Sequence, residues 1–170
     1  MKKNLKKMQM NRFNFLRLLS FVLGFLLIIP VMANAQSGKA NFSGSWTLNE
    51  SKSKLGDGGR RFGGGDFVVK QEANLLTVER SFNDQSFTSK YTLDGKESVN
   101  SFGRGESKST AKWSADGKSL TIVTKMNFNG SERTSSQVWT LSDSKVLSIE
   151  STRQNRDGDT VKTTMVYDKK

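Results

Sequence analysis

Histidine and cysteine carry much of the chemistry that proteins perform, and this chain of 170 residues has neither. Their absence removes Ser-His-Asp and Cys-His nucleophile systems, thiol redox chemistry, the usual zinc sites, haem held by His or Cys, and the imidazole pH switch. Carboxylate, hydroxyl, lysine, tyrosine and backbone chemistry remain. Glu72, Glu79, Glu106, Glu132 and Glu150 are of the type that glycoside hydrolysis uses in pairs. Nothing in their spacing brings two of them together, and most adjoin Lys or Arg. Asp157-Gly158-Asp159 could open a calcium loop, but the remaining oxygen ligands are missing at loop spacing, so it reads as a hairpin turn. The Lys108-Ser109 pair has Phe102 and Ser107 where a phosphate-cradling loop needs glycines. Asn41-Phe42-Ser43 and Asn49-Glu50-Ser51 match the glycosylation sequon, which means little behind a leader of bacterial style. The expectation is a non-catalytic protein without cofactor or metal.

The first 35 residues differ in kind from the rest. Lys2, Lys3, Lys6, Lys7, Arg12 and Arg17 precede an apolar run from Leu18 to Met32 interrupted only by Ser20, Gly24 and Pro30, and Ala33-Asn34-Ala35 follows. A basic start, a short apolar stretch and an A-x-A site describe a secretory signal peptide cleaved before Gln36. The competing reading is an uncleaved anchor, for which the interrupted run is short. A lipoprotein would need a cysteine. The expectation is export to the periplasm or beyond, one domain over residues 36–170, and no membrane span after cleavage.

Removing the leader's six basic residues from the total of 27 leaves 21 against 16 acidic ones, so the mature charge is +5 where the whole chain has +11. Those charges are scattered with both signs, as at Lys70, Glu72, Glu79 and Arg80. Nucleic-acid binding wants a basic stripe interleaved with aromatics, and none is present. Only 37 of the 135 residues after the leader are apolar, so the core must be thin. A closed sheet suits such a sequence, because it satisfies its backbone internally and needs apolar residues on one face only.

Turn signals punctuate that region: Asn83-Asp84, Asp94-Gly95, Gly103-Arg104-Gly105, Asp116-Gly117, Asn129-Gly130, Asp143-Ser144 and Asp157-Gly158. Asn-Gly and Asp-Gly supply the positive φ of tight hairpin turns. Between them apolar residues alternate with polar ones: Phe87, Tyr91 and Leu93 share a face with Ser89, Ala111 lines up with Trp113 and Ala115, and Val161 with Met165 and Tyr167. Strands are expected near 44–49, 66–72, 75–82, 86–93, 96–102, 107–115, 118–128, 131–141, 145–154 and 160–168. No window makes a convincing helix. The predicted fold is all-β, an antiparallel up-and-down barrel of eight to ten strands, with a two-sheet sandwich as the alternative.

Gly44-Ser45-Trp46 opens the first strand with a Gly-x-Trp. Together with Lys54-Leu55, the hairpin meander and the closing Met165-Val166-Tyr167-Asp168, this resembles small secreted lipocalin-like proteins of bacteria, members of the calycin barrels. The resemblance covers most of residues 40–170. It implies a barrel plugged at one end by Trp46, packed under an Arg of the last strand. That strand has none here, so Arg153, on the penultimate strand, is the substitute partner through a cation–π contact. The resemblance also implies a small apolar or amphipathic ligand. Its candidate lining is the alternate-face set Tyr91, Trp113, Ile122, Met126, Phe128, Trp139 and Tyr167, which is also most of the core the sequence offers. Ser89 and Thr163 on the same faces favour a partly wet cavity. Gly-rich residues 56–66 hold Arg60, Arg61 and Phe62, either as a lid on the barrel mouth or as a plain connector. The alternative function is an envelope interaction protein with a filled barrel whose loops contact a protein or a glycan.

Overall fold

Aspartate-led turns set the frame. In three of them the Asp carboxylate accepts a hydrogen bond from the amide two residues on: Asp94 from Lys96 at 3.0 Å, Asp116 from Lys118 at 3.0 Å and Asp143 from Lys145 at 2.6 Å. Gly95 and Gly117 follow with φ of +81° and +70°, a region open to glycine at no steric cost.

The computed structural model describes residues 38–55, 65–82, 85–102, 105–128, 130–155 and 158–170. The leader and its cleavage site, the segment with Arg60, Arg61 and Phe62, and the side chain of Phe128 lie outside the described residues. Ten strands are formed: β1 (Gly44–Leu48), β2 (Phe67–Gln71), β3 (Leu75–Phe82), β4 (Gln85–Thr92), β5 (Glu97–Phe102), β6 (Gly105–Trp113), β7 (Ser119–Phe128), β8 (Ser131–Asp143), β9 (Val146–Gln154) and β10 (Thr160–Lys169). All ladders are antiparallel and the sheet order is β4-β3-β2-β1-β10-β9-β8-β7-β6-β5, an up-and-down barrel that is nearly closed. The strands fall within about two residues of the expected ones. Ala115 does not continue the inner face of β6, because it sits exposed in the β6–β7 turn.

The barrel has two different joins. The chain ends meet as β1 and β10 in an ordinary ladder, Trp46 opposite Lys169 and Leu48 opposite Tyr167. The sheet's outer strands, β4 and β5, are stitched by side chains instead. The Asn100 amide donates to the Lys90 carbonyl at 3.0 Å and accepts from the Lys90 amide at 2.7 Å, while Ser98 Oγ accepts from the Thr92 amide at 2.8 Å. Asn100 is only 6% exposed and stands in for a missing stretch of backbone.

Alternate strands point to opposite ends. The lower end carries the β2–β3, β4–β5, β6–β7 and β8–β9 turns and both described chain ends. Residues 38–43 cross it as a strap: Ala40 N donates to Gly117 O at 2.9 Å, Gln71 Nε2 donates to Ala40 O at 3.0 Å, and Phe42 N donates to Gln71 Oε1 at 2.9 Å. The core gathers above this strap, with Phe42, Trp46, Leu76, Leu120, Trp139, Leu147, Ile149 and Tyr167 all 0–1% exposed.

Candidate functional site

Residues directly opposite in an antiparallel pair share a face, so the ladders fix what lines the interior. On the wall from β6 to β10 the inner rows change character upward. Leu141, Leu147 and Tyr167 lie lowest on β8–β10, and above them runs the row Trp113, Leu120, Trp139, Ile149, Met165. The next runs Ala111, Ile122, Gln137, Ser151, Thr163. Above it, and reaching β5, stand Ser98, Ser109, Thr124, Ser135 and Arg153, and at the mouth Asn100, Ser107, Met126 and Arg133. Each step is two residues, about 7 Å along the strand. On these strands the interior is therefore an aromatic and aliphatic floor beneath a wall rich in hydroxyls and guanidiniums, with Val161 and Met126 as its apolar members.

The floor is tightly packed. Phe42 stacks on Trp113 with centroids 5.7 Å apart and meets Trp139 edge-on at 5.8 Å, while Phe67 meets Trp139 at 5.8 Å and Tyr167 at 4.7 Å. Trp46 Nε1 donates to Phe42 O at 2.9 Å, which ties the plug to the strap. The cation over Trp46 is Lys169 at 5.5 Å, in direct register with it on β10. This corrects the expectation for Arg153, which pairs with Val161, eight residues away along β10 and about 26 Å by strand rise. Gly44, at φ +145°, leaves the space through which Lys169 reaches Trp46; a Cβ there would collide with Lys169 Cε. That gives the Gly-x-Trp a local physical reason.

Of the seven predicted lining residues, Ile122, Trp139 and Tyr167 lie in the floor or just above it and are buried, and Tyr91 and Trp113 pack against them half-buried. Met126 is placed apart, near the mouth and 37% exposed, because only the Phe128–Ser131 pair separates its row from the β7–β8 connection. Burial pushes the phenols of Tyr91 and Tyr167 above their ordinary value, with Arg80 pulling both the other way. Tyr167 also donates to Met165 Sδ at 3.3 Å.

The sequence reading missed Arg80, Phe42 and Phe67 as interior residues. The Arg80 guanidinium lies 4.2 Å from the centroid of the Phe67 ring and hydrogen-bonds the Tyr167 hydroxyl, so it sits where floor gives way to wall. The wall's hydroxyls were also missed. Ser107 and Ser109 are 1% and 2% exposed, and Ser109 Oγ and Thr124 Oγ1 share a hydrogen bond of 2.9 Å. Ser151 Oγ and Trp113 Nε1 are buried with no hydrogen-bond partner among the described residues. The strand glutamates Glu79, Glu97, Glu106, Glu132 and Glu150 all take outward, exposed positions. A separate groove of about 290 Å³ lies against outward-facing Val68, Glu79 and Ser81, edged by the Asp66–Lys170 ion pair of 2.9 Å.

No protein-family model matches the chain, and no curated protein matches it.

Proposed function

We propose that this protein is an exported, lipocalin-like carrier that binds one small amphipathic molecule in the upper half of its barrel. The observation that carries this reading is the division of the interior. A barrel meant only to be stable would continue the floor upward, since buried hydroxyls stabilise little when satisfied and cost about 1–3 kcal/mol when not. Here the wall above the floor is built from Ser98, Ser107, Ser109, Thr124 and Ser135, and Ser151 is left unsatisfied within it. An amphipathic guest would set its apolar part toward the floor and its polar part among the hydroxyls. The basic leader and the A-x-A site support export.

Native mass spectrometry of the protein purified from its own host's envelope fraction, before and after organic extraction, tests this directly. A discrete extractable adduct is expected. Its re-addition should shift the emission of Trp46, Trp113 and Trp139, which are all the chain's tryptophans and all belong to the floor or pack against it. A clean ligand-free mass, with no tryptophan response to a panel of amphiphiles, favours the second reading of a filled barrel acting through its loops. The dense ring packing of the floor is what that reading has in its support.

A further inference from the structure

With one exception, cations are sorted by type across the barrel wall. The strand lysines Lys70, Lys90, Lys108, Lys112, Lys125 and Lys162 face outward, all exposed; the exception is Lys169, at the lower end over Trp46. The described arginines do the reverse: Arg80, Arg133 and Arg153 all take inner-wall positions. Solubility alone asks for charge outside and is indifferent to Lys or Arg. A guanidinium differs from an ammonium in being more weakly hydrated and in presenting a rigid planar fork that matches a carboxylate or phosphate.

The surroundings of two of these arginines fit the same purpose. Arg153 stands directly opposite Ser135, and Arg133 is two residues from Ser135 on the same face, so the two guanidiniums spring from diagonal neighbours about 7–8 Å apart. The row of Arg153 continues into Ser135, Thr124 and Ser109, a line of neutral hydroxyls one level below Arg133, whose own row runs through Met126 to Ser107. Ser151, on the same face of β9 as Arg153 and one row below, keeps a buried hydroxyl with no partner among the described residues. Buried polar atoms are rarely left so in native proteins.

We infer that the mouth half of the barrel is an oxyanion site, in which Arg133 and Arg153, backed by the Ser109–Thr124–Ser135 row, hold the carboxylate or phosphate head of an amphipathic ligand. This rests on the carrier reading and adds the charge and chemistry of the head group. Arg80 is engaged elsewhere, held against Phe67 and Tyr167. Arg133 is exposed and Arg153 half-buried, so both can be replaced without opening the floor.

The test is a fluorescence and calorimetric titration of the exported protein with dodecanoate, dodecyl phosphate, inorganic phosphate and neutral dodecanol. The variants are R133A/R153A, R133K/R153K and, as an outward-facing control, K125A/K162A. The anionic amphiphiles are expected to bind and dodecanol to bind more weakly. R133A/R153A should weaken anion binding at least about tenfold, since charge-assisted hydrogen bonds are lost. R133K/R153K should recover part of that, as charge returns without the fork, and K125A/K162A should match the parent. Preference for dodecanoate or for dodecyl phosphate, with inorganic phosphate competing only in the latter case, identifies the head group. Equal binding of dodecanol and both anions, unchanged by R133A/R153A, overturns the oxyanion site and leaves the carrier reading standing. Binding of none of the probes to the folded parent overturns both. Thermal unfolding of each variant within a few degrees of the parent shows that losses are not unfolding.

Discussion

Floor and wall of this barrel are made by the same ladders, and along β7 the change from one to the other takes two inner positions, from Leu120 and Ile122 to Thr124. Below that point side chains bury one another: Trp46, Trp139 and Tyr167 are 0–1% exposed and the rings touch at 4.7–5.8 Å. Above it most inner positions of β5–β9 carry hydroxyls, amides or guanidiniums, which contribute little net burial energy, with Met126 as the apolar exception. A small apolar inventory has thus been concentrated at one end, where it holds the barrel shut. The other end carries mostly polar inner positions and adds correspondingly little to stability.

The largest effect that would break this comparison lies in the floor. Trp46→Ala is expected to destabilise by about 3–5 kcal/mol, the cost of removing a large buried aromatic, and it also orphans the Phe42 carbonyl that Trp46 Nε1 now serves. Urea unfolding followed by circular dichroism reads this as a fall in midpoint with the slope preserved. A loss under 1 kcal/mol would mean that the floor does not carry the fold.

The β4–β5 join is next in size and sharpens the comparison, because it is where the sheet closes without a ladder. Asn100→Ala leaves both the amide and the carbonyl of Lys90 without their side-chain partner, at about 1–3 kcal/mol for each buried group left unsatisfied. Hydrogen exchange at the Lys90 amide should accelerate more than exchange at amides of the β1–β10 ladder. Uniform acceleration across the barrel would show that the stitched join has no local stability of its own.

Within the wall the direction reverses. Ser151→Ala removes a hydroxyl that has no partner among the described residues, so it should be neutral or stabilising by up to about 1 kcal/mol. If the same variant also weakens ligand binding, stability and function are separated at a single residue. Destabilisation beyond 1 kcal/mol would show that the hydroxyl is satisfied and structural.

Much of the fold was legible because turn chemistry is local. Asp94-Gly95 and Asp116-Gly117 announce their hairpins by the φ they supply and the amides their carboxylates cap. Faces were legible only where they contrast. β7 shows Leu120 and Ile122 against Thr121, but the first half of β8 reads Glu132, Arg133, Thr134, Ser135, Ser136, Gln137, with no apolar residue on either side. Its inner set emerges only from pairing with β7 and β9, and with it the placing of Arg133 inside. Arg153 was assigned to Trp46 for a related reason: nothing local in the sequence says that Trp46 lies opposite Lys169. Phe42 escaped notice because it belongs to the strap and to no strand, and Asn100 because an amide standing in for backbone looks like any polar strand residue.

The smallest effect belongs to the outside of the floor, where Lys170 pairs with Asp66 at 2.9 Å beside Phe67. The hydrogen bond from Lys170, with those from the Leu48 amide and the Thr47 hydroxyl, holds the Asp66 carboxyl below its ordinary value of 3.8. A carboxyl depressed in the folded state adds stability that is present above its unfolded pKa and is lost as pH falls through the folded one, so the contribution starts to decline at about pH 4 and is gone only below the folded value. Both side chains are more than half exposed, which limits the pair to about 0–1 kcal/mol at low salt. Asp66→Asn should therefore lower the unfolding midpoint slightly at pH 7 and progressively less as pH is lowered below about 4, with the difference also shrinking as salt is added. A loss at pH 7 comparable to that of Trp46→Ala would mean that the barrel end is held by its rim of charges as much as by its rings.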